Sequence, residues 1–334
     1  MTIVMAMKTR PTEFELIAKY FAPLAGEGAF GLQDDAAILS VPEGKKLVIT
    51  QDALAANVHF FSDDPPKLIA QKALRVNISD LVAKGALPFA YSLSIGLGDD
   101  WDEAWIAEFT RGLGEDQTRF NMQLTGGDTY ASPGVTTISI TALGQLDAKD
   151  YTSRLGASRG DTVFVTGTIG DAALGLKQKL DQFDKRILGM GEKAHLQQRY
   201  LLPNPSLLMA PIIAEFASAC MDISDGLIGD LEKLCKASNV GASIEVSKIP
   251  ISSPARKVIQ IIPEQLQTIL TGGDDYELLF TVPEKQIIEF KAAIHLLPIS
   301  IEKIGVVKDA KDGIGLYDDD GSQLSFDTSS YIHF

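Results

Sequence analysis

The sequence predicts an α/β (α+β) protein of two domains, 1–147 and 148–334. Three observations lead there. Strand-like and helix-like segments are mixed in both halves, which argues against an all-α or all-β fold. The 334 residues, 45% hydrophobic and 22% charged, are enough for two cores. A polar, irregular stretch, QLDAKDYTSRLGASRGD (145–161), separates the halves.

The elements follow in order. EFELIAKYF (13–21) places Phe14, Ile17, Tyr20 and Phe21 at helical spacing. KLVIT (46–50) is a short β-rich run. The segment 65–86 predicts a long helix, with Leu68, Ala73 and Val76 in period and Gly85 near its end. FAYSLSIGL (89–97) alternates as a strand does, 102–120 is helical, and 134–144 is a strand. Beyond the boundary, TVFVTG (162–167) opens a second α/β unit. A helix is expected over 204–219, capped near Ser206 and with Pro211 close to its start. Another covers 226–238, and strands cover 277–282 and 299–307. The pentapeptide LTGGD occurs twice, at 124–128 and 270–274. Both copies read as a sharp glycine turn that brings backbone N–H groups close to a ligand and ends in an acid.

Charge narrows the function. Thirty Lys plus Arg against 44 Asp plus Glu give a net charge of −14. That argues against a nucleic-acid surface, which needs clustered cations. It also means that phosphates could be handled only with cations to bridge the repulsion. The two cysteines, Cys220 and Cys235, match no zinc motif and no disulfide framework. Neither a signal peptide nor a membrane-length apolar run is expected, so the reading is a cytoplasmic protein with no membrane partner. GEGAFG (26–31) fits a dinucleotide fingerprint by letter but follows a helical segment and runs into LQDDAAIL (32–39), which looks like a strand edge, so it is rejected. No P-loop occurs. His59, His195, His295 and His333 form no zinc-hydrolase motif, and no nucleophile elbow is present.

The acids carry the stronger signal. Asp34, Asp35, Asp52, Asp80, Asp128, Asp222, Asp225, Asp274 and Asp275 sit mostly among apolar residues or glycines. Asp52 follows LVIT across the single residue Gln51 and is expected at the C-terminal end of a strand, where open sheets carry ligands. Asp80 lies amid Ile78, Leu81 and Val82, where an acid needs a partner or a metal. Taken singly, each acid also reads as a cap or turn former; Asp222 and Asp225 could cap the helix near Gly226. Together they point to a hard divalent ion, and magnesium typically joins a few carboxylates to substrate phosphates. That chemistry suits phosphoryl transfer, which needs positioning and charge neutralisation.

LQDDAAIL, VITQDAL…NVHF, KALRVNISDLVAKGA, LTGGDT, MDISDGL and GGDDYEL, in that order, resemble the thiamine-monophosphate kinase family, of the aminoimidazole ribonucleotide synthetase superfamily. The resemblance spans nearly the whole chain. It implies an N-terminal domain whose mixed sheet pairs with that of a second subunit, giving a homodimer, and a C-terminal α/β domain folding over the site. It implies that ATP and thiamine phosphate give ADP and thiamine diphosphate, with several magnesium ions and no phosphoenzyme. Asp35, Thr50, Gln51, Asp52, Asp80, Asp128 and Asp222 match metal-site positions, with Asp225 beside another ion. Gly127, Asp128, Arg154 and Ser224 match ATP contacts. His59, Asp274 and a tail aromatic, best matched by Tyr331, match thiamine-phosphate contacts. The sequence departs from the family pattern at Gln33, Gln51 and Asp274, where glycine, Thr or Ser, and often Glu are usual.

The mechanism so implied has an ionised phosphate oxygen as nucleophile, so no general base is required. Magnesium on Asp52, Asp80 and Asp128 would screen two phosphate chains from each other. Arg154 would add a cationic fork. Two alternatives stay open: a sister enzyme that releases free phosphate during ring closure or ligation, and a non-catalytic nucleotide or metal sensor.

Overall fold

Thr12 opens the first helix with a capping box. Its Oγ1 accepts the Glu15 N–H, while Glu15 Oε2 accepts the Thr12 N–H at 2.9 Å. The helix α1 (Glu13–Leu16) continues as a wider π turn through Ile17–Phe21. The computed structural model describes residues 10–99, 101–147, 151–326 and 330. The chain divides into two units, Met1–Asn77 with Pro88–Gln145, and Ile78–Leu87 with Leu146–Phe334.

The first unit is built on β1 (Lys45–Ala55), α2 (Pro66–Ala83), β2 (Leu87–Leu97), α3 (Glu103–Phe120), β3 (Gln123–Ala131) and β4 (Thr137–Asp147). The strand order is β1-β4-β2-β3, with β2 and β3 parallel. Only the part of α2 up to Asn77 belongs to this unit. That part is buried on most sides, so its polar side chains need partners. Arg75 forks onto Asp116 of α3 at 2.6 and 2.8 Å, and Gln71 reaches the same carboxylate at 3.0 Å. Asp102 caps α3 by accepting the Trp105 N–H, and Asn121 ends it in the left-handed region.

Three details differ from expectation. Strand β1 continues through Ala55, so Asp52 lies inside the strand and not at its end. The segment 33–42 forms no strand. The first LTGGD is not a turn: it lies within β3, where Leu124 faces Tyr91 and Gly126 faces Ser92, leaving Thr125 as a bulge.

The second unit runs β5 (Thr162–Thr166), α4 (Asp171–Lys179), α5 (Met190–Leu201), α6 (Met209–Phe216), β6 (Ala219–Asp222), α7 (Leu227–Ser238), β7 (Val240–Glu245), α8 (Ser253–Ile261), α9 (Gln265–Thr271), β8 (Leu278–Val282), α10 (Ile287–Ile294), β9 (Ile301–Asp309), β10 (Ile314–Tyr317) and β11 (Gln323–Leu324). Seven strands lie in the order β11-β10-β7-β9-β5-β8-β6, with β7 and β10 parallel. Period-two alternation buries both faces. Val163, Val165 and Leu279 join a core with Leu174, Leu196, Leu231 and Leu234. The intervening Phe164 and Phe280 stack at 5.6 Å on the other face, against Phe290 of α10.

The helix expected over 204–219 is shorter. Pro203 and Pro205 keep the approach irregular, α6 starts at Met209 without a side-chain cap, and 219–222 is the strand β6. Ser206 accepts the Met209 N–H through its carbonyl and does not cap. Among the described residues no helix is long and apolar enough to cross a membrane.

Candidate functional site

In the first unit, the bulge in β3 puts two glycines side by side. Gly126 and Gly127 have φ near +152° and +150°. A Cβ at Gly127 would lie 1.6 Å from the Leu93 carbonyl oxygen, so only glycine lets β3 lie this close to β2. The next residue, Asp128, is exposed and pairs in register with Ser94. These residues line a cavity of about 460 Å³ together with Asp34, Asp35, Ser92 and Thr125, over an apolar floor that includes Phe21 and Leu93. Asp34 Oδ1 accepts the Asp35 N–H at 2.8 Å, which fixes the turn carrying both acids. Asp35, Gly127 and Asp128 are thus brought together.

Thr50, Gln51 and Asp52 are not on that cavity. They lie on β1, and β3 is the opposite edge of the sheet. Three strand spacings separate the backbones, roughly 14 Å. Asp52 is half-buried, and its N–H donates to Asn77 Oδ1 at 3.0 Å. Gln51 directs its amide Nε2 to Ser139 Oγ at 3.0 Å. His59 accepts the Ala55 N–H at Nδ1, 3.1 Å away. That bond leaves the proton of the neutral ring on Nε2.

In the second unit, two segments interlace. Asp222 ends β6 and is buried, and the Ile223 N–H donates to the Glu277 carbonyl at 2.8 Å. The Asp274 N–H donates to the Ser224 carbonyl, and the Tyr276 N–H to the Ile223 carbonyl. A Cβ at Gly273 would lie 2.3 Å from the Ser224 carbonyl oxygen. Asp222, Ser224 and Asp274 are therefore neighbours. Asp80 is half-buried on α2, and the adjacent Ser79 hydroxyl points to the Tyr276 carbonyl at 3.5 Å. Arg154 is exposed, and its guanidinium pairs with no acid among the described residues. Tyr331 lies outside the described residues.

Neither Asp222 nor Asp225 caps α7 with its side chain. Asp230, one turn inside the helix, accepts the N–H groups of Ser224 and Asp225 at 2.9 and 3.0 Å. Burial pushes the Asp230 carboxyl up, and its bond to Lys233 opposes that. Lys233 also pairs with the Asp225 carboxylate. Sequence reasoning missed Asp230 and Lys233. It also missed Arg199, which donates to Glu277 Oε1 at 2.7 Å from 78 positions away. The spacing of Asp225, Asp230 and Lys233 in a capped helix start was the available signal; the Arg199 contact left none.

Magnesium needs hard oxygen donors, and these acids, hydroxyls and carbonyls provide them without histidine or cysteine in the β3 cavity. Among the described residues no three His, Cys, Asp or Glu gather into a cage. The donor set therefore fits an ion shared with substrate phosphates, which takes one or two carboxylates from the protein. Burial pushes the thiols of Cys220 and Cys235 up to about 12 and about 11, so neither is a thiolate at neutral pH.

The AIR synthase related protein models match, the N-terminal domain over residues 33–146 and the C-terminal domain over 158–318. The chain is 37% identical over 326 residues to the thiamine-monophosphate kinase of Escherichia coli (strain K12), covering 96% of this chain and 98% of that one. Its fold matches the crystal structure of the thiamine-monophosphate kinase from Stenotrophomonas maltophilia K279a with a TM-score of 0.77 at 33% identity, over 88% and 91% of the two chains. It also matches a structure described as AaThiL complexed with AMPPCP and TMP, with a TM-score of 0.75 at 30% identity, over the full length of both. The chain belongs to the AIR synthase related family and, within it, to the thiamine-monophosphate kinases.

Proposed function

We propose that the protein transfers the γ-phosphoryl group of ATP to thiamine phosphate, giving thiamine diphosphate and ADP. The observation that carries this reading is full-length similarity to a relative complexed with AMPPCP and TMP, joined to a glycine-built cavity edged by acids. A phosphate oxygen of thiamine phosphate attacks the γ-phosphorus in line. The new P–O bond forms as the bond to the ADP oxygen breaks, and no proton has to be removed first.

Bound magnesium would supply charge neutralisation at the phosphates. Asp35 and Asp128 would hold it at the β3 cavity, with Asp52, Asp80 and Asp222 serving further ions. The Gly127 backbone would leave room for a phosphate at the β3 cavity, and Ser224 and Arg154 would serve as further ATP contacts. His59 would donate from Nε2 to the acceptor substrate, and Asp274 would meet its cationic ring.

The protein works as a homodimer in this reading. Strand β1 exposes Leu47 and Ile49, and beyond the bridge from Ala25 to Leu124 no described strand flanks β3. Pairing β3 with β1 of a second copy would satisfy both edges. It would also bring Asp128 to the partner's Asp52, which a single sheet keeps apart. We place the enzyme in the cytoplasm, in keeping with two free, buried cysteines.

The test is ADP release by purified protein with ATP, magnesium and a panel of acceptors. Thiamine phosphate is expected to be the acceptor used. Turnover with another phosphate acceptor in its place, or ATP binding with no turnover, would contradict the proposal.

A further inference from the structure

The loop 272–276 holds two non-glycine residues in the left-handed region, Asp274 at φ +71° and Tyr276 at φ +51°. Such conformations persist only where the surroundings over-determine them. Backbone bonds from both residues to the 223–224 carbonyls do part of this. The rest falls to Asp275, between them, which turns inward and is 1% exposed. Its Oδ2 accepts the Gly170 N–H at 2.7 Å. Gly170 has little freedom of its own, because it sits at φ +84° against the Ile269 backbone.

The next acid in the chain is anchored as firmly. Glu277 accepts from Thr166 Oγ1 at 2.6 Å and from Arg199 Nη2 at 2.7 Å. Thr166 Oγ1 in turn accepts the Leu278 N–H at 2.8 Å. Two buried polar atoms of this network, Asp275 Oδ1 and Arg199 Nε, have no partner among the described residues. Burying such groups costs stability that apolar residues of similar size would not. What the Asp275 carboxyl does, and an apolar group cannot, is hold the Gly170 N–H and so fix the backbone on either side of it.

We propose that Asp275, together with the Arg199–Glu277–Thr166 chain, is a positioning device that holds the Asp274 carboxylate in register with Ser224 and thereby sets affinity for the acceptor substrate. Asp275 touches no substrate in this scheme; it acts through Asp274. The inference rests on Asp274 being the thiamine-phosphate contact.

The experiment compares Asp275→Ala, Asp275→Asn and wild type for steady-state kinetics and melting temperature. Asp275→Ala is expected to raise KM for thiamine phosphate about tenfold, while kcat and KM for ATP stay within about threefold. Asp275→Asn restores KM, because its amide oxygen can still accept the Gly170 N–H. A folded Asp275→Ala enzyme with wild-type KM for thiamine phosphate overturns the proposal. So does an equal rise in both KM values, or an Asn variant that restores melting temperature but not KM. If Asp275→Ala does not fold, Thr166→Val removes only the hydroxyl and is expected to raise KM for thiamine phosphate about threefold with KM for ATP unchanged; no change overturns the proposal. Wild-type enzyme that never turns over thiamine phosphate defeats the kinase reading itself, whereas wild-type turnover with an indifferent Asp275→Ala defeats only the positioning device.

Discussion

Asp274 donates its backbone N–H to the Ser224 carbonyl at 2.9 Å, so the second LTGGD copy is tied directly to the segment that follows β6. In the proposed reading the Asp274 carboxylate meets the cationic ring of the acceptor substrate. Asp274→Asn keeps size and loses charge. It is expected to raise KM for thiamine phosphate about tenfold and leave KM for ATP nearly unchanged, the mark of lost substrate binding. Steady-state kinetics with each substrate varied in turn checks this.

The first LTGGD copy makes a different demand. Gly127→Ala puts a methyl group into the Leu93 carbonyl, so β3 and β2 must separate. Gly126→Ala meets nothing within 4 Å and bears only the strain of its backbone angle. Gly127→Ala should lose about a hundredfold or more in kcat/KM, comparable to removing a strong electrostatic stabiliser. It should also lower Tm by more than Gly126→Ala does. Equal effects in the two variants would contradict the close-approach argument.

Asp52→Asn and Asp128→Asn test the dimer through complementation. Each variant alone is expected to be nearly inactive. If β3 pairs with β1 of the partner, a mixed dimer holds one site with both acids intact and one with neither. Random mixing after unfolding and refolding should then recover about a quarter of wild-type activity, since half the dimers are mixed. No recovery would place both acids in one protomer or in no common site.

Asp275 gives a pH signature. Burial raises its carboxyl well above the usual range, opposed by the Gly170 N–H and by Arg199. A raised acid binds a proton in the fold that the unfolded chain releases above a pH of about 4. Wild type therefore loses stability through this group as pH rises from there toward its folded value. Asp275→Asn lacks that loss, so denaturant melts should show the variant gaining on wild type between pH 4 and neutrality, by about 1 kcal/mol or more if the folded value lies one unit or more above the unfolded one. A constant difference would mean that the carboxyl stays ionised.

What the sequence disclosed was what local period and caps encode. The helix expected over 102–120 is α3 within a residue, and the strand expected over 134–144 covers most of β4. Long-range pairing was hidden. ACMD at 219–222 carries no strand signal, because a strand buried on both faces shows no alternation. Glycines concealed β3, and identical LTGGD letters concealed one copy in a strand and one at a helix end. The acids of the site were legible as acids among apolar neighbours. Their grouping was not, since it depends on strand order: nothing in 46–55 says that β1 takes the edge opposite β3. Nothing local to Arg199 marks its pairing with Glu277, 78 positions away.

The central claim is direct transfer from ATP to thiamine phosphate, and phosphorus NMR of one reaction mixture with magnesium follows it atom by atom. The γ-phosphorus signal of ATP should fall as a terminal-phosphate signal of thiamine diphosphate rises in equal amount, with no inorganic phosphate and no change once EDTA is added. Inorganic phosphate growing in place of thiamine diphosphate, or transfer that continues in EDTA, would contradict it.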